Sequence, residues 1–201
     1  MDVYTTEEQQ VEAIKTWWRD NGKAIILGAV IGLGGLYGWR YYQSEQETSR
    51  EQASEAYMQV VGALAAGDAD AQEKAAAFIQ SNDSSYSALV ELQLAKTFVE
   101  AGDLVKAAEH LRSVQASKDD SLKATATLRL ARVEAQQGNV DAALKELDSV
   151  TAESWKPQVE ELRGDIQLRK GDTAAARLSY AASIAAASNP VVQMKLDNLP
   201  Q

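Results

Sequence analysis

The sequence predicts an all-α chain: a single N-terminal membrane helix followed by an array of helical hairpins. Three observations carry that prediction. Charge vanishes between Lys23 and Arg40, leaving the run Ala24–Trp39 with nothing more polar than a tyrosine hydroxyl. Four Gly-Asp or Gly-Asn steps, Gly67-Asp68, Gly102-Asp103, Gly138-Asn139 and Gly171-Asp172, succeed one another at intervals of 35, 36 and 33 residues. Abundant alanine, three prolines and 6% aromatics in 201 residues favour helix over a many-stranded sandwich.

Residues 1–23 read as a short cytoplasmic amphipathic segment. Thr5 and Glu8 have capping-box spacing. Val11, Ile14 and Trp18 then recur on one side, with Glu8, Glu12, Lys15 and Arg19 on the other, and Asn21-Gly22 predicts a helix stop. The mixed charge fits a partner surface as well as a lipid headgroup layer.

Residues 24–42 read as an uncleaved signal-anchor helix. Sixteen uncharged residues cover about 24 Å, short of a hydrocarbon core of ~30 Å. Trp17 and Trp18 before the run, Trp39, Tyr41 and Tyr42 at its end, and snorkelling Lys23 and Arg40 supply the remaining length. Lys15, Arg19 and Lys23 against Arg40 and Arg50 place the N-terminus in the cytoplasm and the rest of the chain on the exported side, the topology of a single-pass type II membrane protein. Gly28 with Gly32, and Gly34 with Gly38, form small-xxx-small pairs at which a second membrane helix can approach.

Residues 43–57 are polar and glutamate-rich, a helical stalk, and residues 58–201 form the exported domain. There the turn glycines organise further regularities. Ala95, Ala131 and Gly164 each stand seven residues before a turn glycine, and Ala107, Ala143 and Ala176 each stand five after. Small residues at these places let the two helices of a hairpin close together. Leu111, Leu147 and Tyr180 come next on the same face of the second helix, while Leu92, Leu94, Leu128 and Leu130 supply the first-helix core. Arg163 breaks the leucine pattern in the third unit, and the unit around Gly67 keeps only its turn. Residues 191–198 read as a short capping helix.

This small–turn–small–bulky pattern resembles the tetratricopeptide repeat over residues 86–188, in degenerate form, without the usual proline at the repeat end. The chain also resembles the YfgM family of ancillary SecYEG translocon subunits. The likeness is carried by Gln10-Val11-Glu12-Ala13, Asn21-Gly22-Lys23-Ala24, Gly38-Trp39-Arg40-Tyr41, Leu128-Arg129-Leu130-Ala131-Arg132-Val133, Leu162-Arg163-Gly164-Asp165, Gln193-Met194-Lys195 and Asn198-Leu199. The resemblance implies a bacterial inner-membrane protein with a periplasmic domain, partnered by the translocon and the membrane-anchored chaperone PpiD. It also implies a role in passing emerging, unfolded polypeptides to periplasmic chaperones, and restraint of the RcsB stress regulator through residues 1–23.

Stacked helix pairs leave a concave surface lined by the first helix of each pair. The candidate partner-binding residues there are Leu92, Lys96 and Val99, then Leu128 and Arg132, then Glu161, Asp165 and Leu168. Catalysis finds little footing. The chain has no cysteine and one histidine, His110, which reads as a surface residue. The acidic pairs Glu160-Glu161 and Asp119-Asp120 are sequence neighbours that diverge on a helix. A net charge of −9 opposes nucleic-acid binding. No glycine-rich phosphate loop is present, so the reading is a binding module without enzyme activity or cofactor. The competing reading is a structural homodimer paired through the glycines of its span, with the repeats as spacers.

Overall fold

The computed structural model describes residues 7–82 and 85–200. Every regular element among them is helical. The chain divides into two compact units, Met1–Gln52 and Ala53–Gln201, and helix α1 (Glu7–Ala66) crosses the division.

In the first unit α1 is unbroken, so the helix stop expected at Asn21-Gly22 does not occur. Gly22 keeps a right-handed backbone, and the Asn21 side chain donates back to the Trp17 carbonyl at 3.0 Å instead of turning the chain. A helix stop requires a left-handed residue beyond the last turn, and here the apolar run beyond Gly22 continues the hydrogen-bonded ladder. The expected Thr5–Glu8 capping box lies outside the described residues. Ile25 to Tyr42 present their large apolar side chains outward, 40–80% exposed. Among the described residues α1 is the one helix long and apolar enough to cross a membrane. A Cβ placed on Gly28, Gly32, Gly34 or Gly38 would meet nothing within 4 Å.

The second unit is a succession of antiparallel hairpins built from the tail of α1 and α2 (Ala71–Ser81), α3 (Ser85–Glu100) and α4 (Leu104–Gln115), α5 (Asp120–Gln136) and α6 (Val140–Asp148), and α7 (Lys156–Lys170) and α8 (Thr173–Ala186). Helix α9 (Pro190–Asp197) closes it. A short 3-10 turn, Glu153–Trp155, leads into α7.

The repeated Gly-Asp step ends one helix and starts the next. Gly67, Gly102, Gly138 and Gly171 have φ of 72°, 80°, 90° and 88°, the left-handed region that L side chains resist. Each succeeding amide reaches back into the finished helix, as Asp103 N–H does to Phe98 O and Asp172 N–H to Gln167 O, both at 2.9 Å. The same aspartates then cap the next helix: Asp103 accepts from Lys106 N–H at 3.1 Å and Asp172 from Ala175 N–H at 2.9 Å. The Lys106 amide, and then its ammonium, hold the Asp103 carboxyl below the usual range against the opposing effect of desolvation. Asn139 departs from this pattern. Its amide donates to Glu134 Oε2 at 2.7 Å, helping Arg112 satisfy a carboxylate buried between α4 and α5.

Small residues stand where the helices meet. Ala107, Ala131, Ala143 and Ala176 are fully buried and Ala95 nearly so. Leu111, Leu147 and Tyr180, each 1% exposed, fill the space beside them. Leucines two apart on a first helix serve different layers, because a helix turns about 200° over two residues. Leu94 packs with Val60, Leu64, Phe78 and Val90, whereas Leu92 packs with Leu111, Val114 and Leu130. Leu128 joins Leu147, Val159 and Leu162 in the next layer. Each first helix is therefore buried on two sides, and only a narrow third stripe is left to solvent. At the C-terminal end Val192 and Leu199 cover Ala176 and Tyr180, with Asn189 accepting from Val191 N–H at 3.0 Å to start the cap helix.

Candidate partner groove

The exposed stripes of α3, α5 and α7 line two neighbouring clefts. The first, of about 390 Å³, has a floor of Leu92, Ala95, Leu111 and Val133 and a rim of Lys96, Val99, Glu100, Arg129, Arg132 and Gln136. The second, of about 240 Å³, lies between α5 and α7, against Ala135, Leu162, Asp165, Ile166 and Arg169. Arg132 and Gln136 border both, so they form one groove across three first helices.

The expected partner-facing residues distribute unevenly over this geometry. Leu92, Lys96, Val99 and Arg132 come together in the first cleft, and Arg132 meets Asp165 at the second. Leu128 does not reach the surface; at 4% exposure it is a core residue under α7. Leu168 is 37% exposed but lines neither cleft. Glu161 is held by Lys195 at 2.8 Å, and the same ammonium bonds both oxygens of Asp165 at 2.8 and 2.9 Å. Tyr180 Oη donates to Asp165 at 2.8 Å. These acidic groups thus anchor α9 to α7. Burial, then the adjacent Asp165 carboxylate, push the Tyr180 phenol well above its ordinary range. Burial alone would lower the Lys195 ammonium, but its bonds to Asp165 and Glu161 outweigh this and hold it raised.

Three charged groove residues escaped the reading of the sequence: Glu100, Arg129 and Arg169. The signal for two of them was present. Arg129 precedes Arg132 by three and Glu100 stands four after Lys96, spacings that share a helix face. Lys96 and Glu100 form a loose pair at 3.7 Å.

His110 departs from the surface position expected of it. Its Nδ1 lies 2.5 Å from Glu91 Oε2, and its ring stacks on Phe98 at a centroid distance of 5.2 Å. The reason is the hairpin itself: α4 folds back on α3, bringing the ring against a neighbouring helix that is distant in sequence. The acidic pairs have separate partners. Asp119 caps α5 and Asp120 pairs with Lys123, while Glu160 pairs with Arg163 and Glu161 with Lys195. Among the described residues no group of three His, Asp or Glu could hold a metal ion.

Comparison with known proteins agrees with this architecture. Residues 15–201 match the family model of the tetratricopeptide repeat-like domain. The chain is 42% identical to the ancillary SecYEG translocon subunit of Escherichia coli (strain K12), over 99% of each chain. It belongs to that tetratricopeptide-like family of ancillary SecYEG translocon subunits. The family relatives of Haemophilus influenzae and Aggregatibacter actinomycetemcomitans are 34% and 39% identical, covering 96% and 98% of this chain and 97% and 100% of their own. The family's all-α, repeat-based fold is the fold described above, with one candidate membrane helix at its N-terminal end.

Proposed function

We propose that this chain is a non-enzymatic accessory of the SecYEG translocon in the bacterial inner membrane. Its groove across α3, α5 and α7 receives polypeptides emerging from the channel and passes them to periplasmic chaperones. The observation that carries the reading is an open groove with an apolar floor and charged rim, on a chain that aligns end to end with ancillary translocon subunits. Apolar contact gives an extended client affinity, and rim charges tune rate and discrimination. Without a nucleotide site, release runs on binding equilibria and on competition from partners.

The balance of Lys15, Arg19 and Lys23 against Arg40 and Arg50 supports a cytoplasmic N-terminus and a periplasmic repeat domain. The likeness to the family supports PpiD as the receiving chaperone, and it assigns restraint of RcsB to residues 1–23. The open glycine face of α1 also favours a second reading, a homodimeric scaffold joined through Gly28 and Gly32.

Affinity capture from solubilised membranes, with crosslinking, separates the two. The full chain should recover the translocon and PpiD, and a chain lacking residues 1–40 should lose the translocon. Self-crosslinks through Gly28 and Gly32, with neither partner recovered, would overturn the accessory reading in favour of the scaffold.

A further inference from the structure

Charge is unevenly spent across the repeat unit. Residues 53–201 carry 15 basic and 21 acidic side chains, a net of −6. The first cleft reverses that sign: Lys96, Arg129 and Arg132 face a single carboxylate, Glu100. The second adds Arg169 against Asp165, whose charge Lys195 already meets.

The repeat unit's other arginines are all committed. Arg112 binds Glu134 and Arg163 binds Asp148. Arg177 donates to the Pro200 carbonyl, and at the groove's edge Arg169 donates to the Ala135 carbonyl. Arg129 and Arg132 are exposed and have no hydrogen-bond or ion-pair partner among the described residues. A guanidinium is weakly hydrated, stays charged at every physiological pH and offers a planar fork that fits a carboxylate with two parallel bonds. Two of them three residues apart on α5 stand above the apolar floor of Leu92, Ala95 and Val133.

We propose that this groove selects extended polypeptide segments in which acidic side chains alternate with apolar ones. The inference rests on the reading of the groove as a client surface and adds the chemistry it prefers. In an extended strand successive side chains point to opposite sides. Apolar residues can therefore enter the floor while the intervening carboxylates turn to the arginine rim. First helices packed about 10 Å apart give a groove roughly 20 Å across three of them, which accommodates about six extended residues.

The test uses the full chain in lipid nanodiscs and fluorescence anisotropy of short labelled peptides. The peptides share the same leucines and differ in carrying glutamates, glutamines or lysines between them. The glutamate peptide should bind about tenfold more tightly than the lysine peptide, the sum of a few partly exposed ion pairs, and the preference should shrink as ionic strength rises. Arg129→Gln with Arg132→Gln should abolish the preference, while the charge-matched Lys145→Gln with Lys156→Gln keeps it. Equal binding of the glutamate and lysine peptides, or a preference that survives loss of both arginines, overturns this inference and leaves the client groove standing. Failure of all three peptides to bind overturns the client groove itself.

Discussion

The third hairpin offers the sharpest check on how the repeats pack. Two hairpins pair an alanine on the first helix with a leucine on the second, Ala95 with Leu111 and Ala131 with Leu147; the third pairs Gly164 with Tyr180. A Cβ added at Gly164 would lie 2.5 Å from Tyr180 Cε1 and 2.6 Å from Cδ1. The ring cannot withdraw cheaply, because it is 1% exposed and its hydroxyl is fixed to Asp165 at 2.8 Å. Overpacking of this kind costs about 1–3 kcal/mol, and the better helix propensity of alanine returns about 1 kcal/mol. Gly164→Ala should therefore lower stability by about 1–2 kcal/mol, a fall of about 5 °C in melting temperature for a domain of this size. In the Tyr180→Leu background, which recreates the pairing of the other hairpins, the same change should be neutral or stabilising by up to about 1 kcal/mol. Circular-dichroism melts of the full chain in detergent, with hydrogen exchange of the α7 and α8 amides, read both effects. An unchanged melting temperature for Gly164→Ala, or an equal loss in both backgrounds, would refute the packing described for this hairpin.

Other outcomes depend on particular contacts. Arg112→Met should destabilise the unit by about 2 kcal/mol in chemical denaturation, because it leaves the buried Glu134 carboxylate with Asn139 as its remaining side-chain partner. Glu134→Gln in that background should recover part of the loss, and its failure to do so would place the cost elsewhere. Tyr180 and Lys195 both have raised pKa values, so the stability they contribute is complete below about pH 10 and is lost as pH rises through their folded-state values. Alkaline melts should show this loss, and Tyr180→Phe should remove the phenol's share of it, leaving a flatter curve above about pH 10. A reporter fused after Gln201 should be active only on the exported side of the membrane; cytoplasmic activity would reverse the topology.

Much of the fold was written in local signals. Gly102 and Gly171 declare turns because a left-handed φ excludes most other residues, and Ala131 and Ala143 mark close helix contacts because nothing larger fits. What stayed hidden depends on where a helix lies relative to its neighbours. Leu128 shares the first-helix spacing of the groove residues, yet α5 is covered on two sides and α7 takes that face. His110 looked solvent-facing within α4, and only packing against α3 supplies Glu91 and Phe98. Asn21-Gly22 carries a stop signal that the continuing apolar helix overrides. The arginine rim lay within reach of sequence reasoning, since Arg129 and Arg132 share a helix face. That they lack counter-charges is a property of the assembled groove.

The measurement closest to the central claim is site-specific photocrosslinking in cells carrying a stalled nascent chain in the translocon. A photoreactive residue at Val99, on the groove rim, should yield adducts with the emerging polypeptide, whereas one at Val105, 64% exposed on α4 and outside both clefts, should not. Adducts from Val105 with none from Val99 would contradict the account.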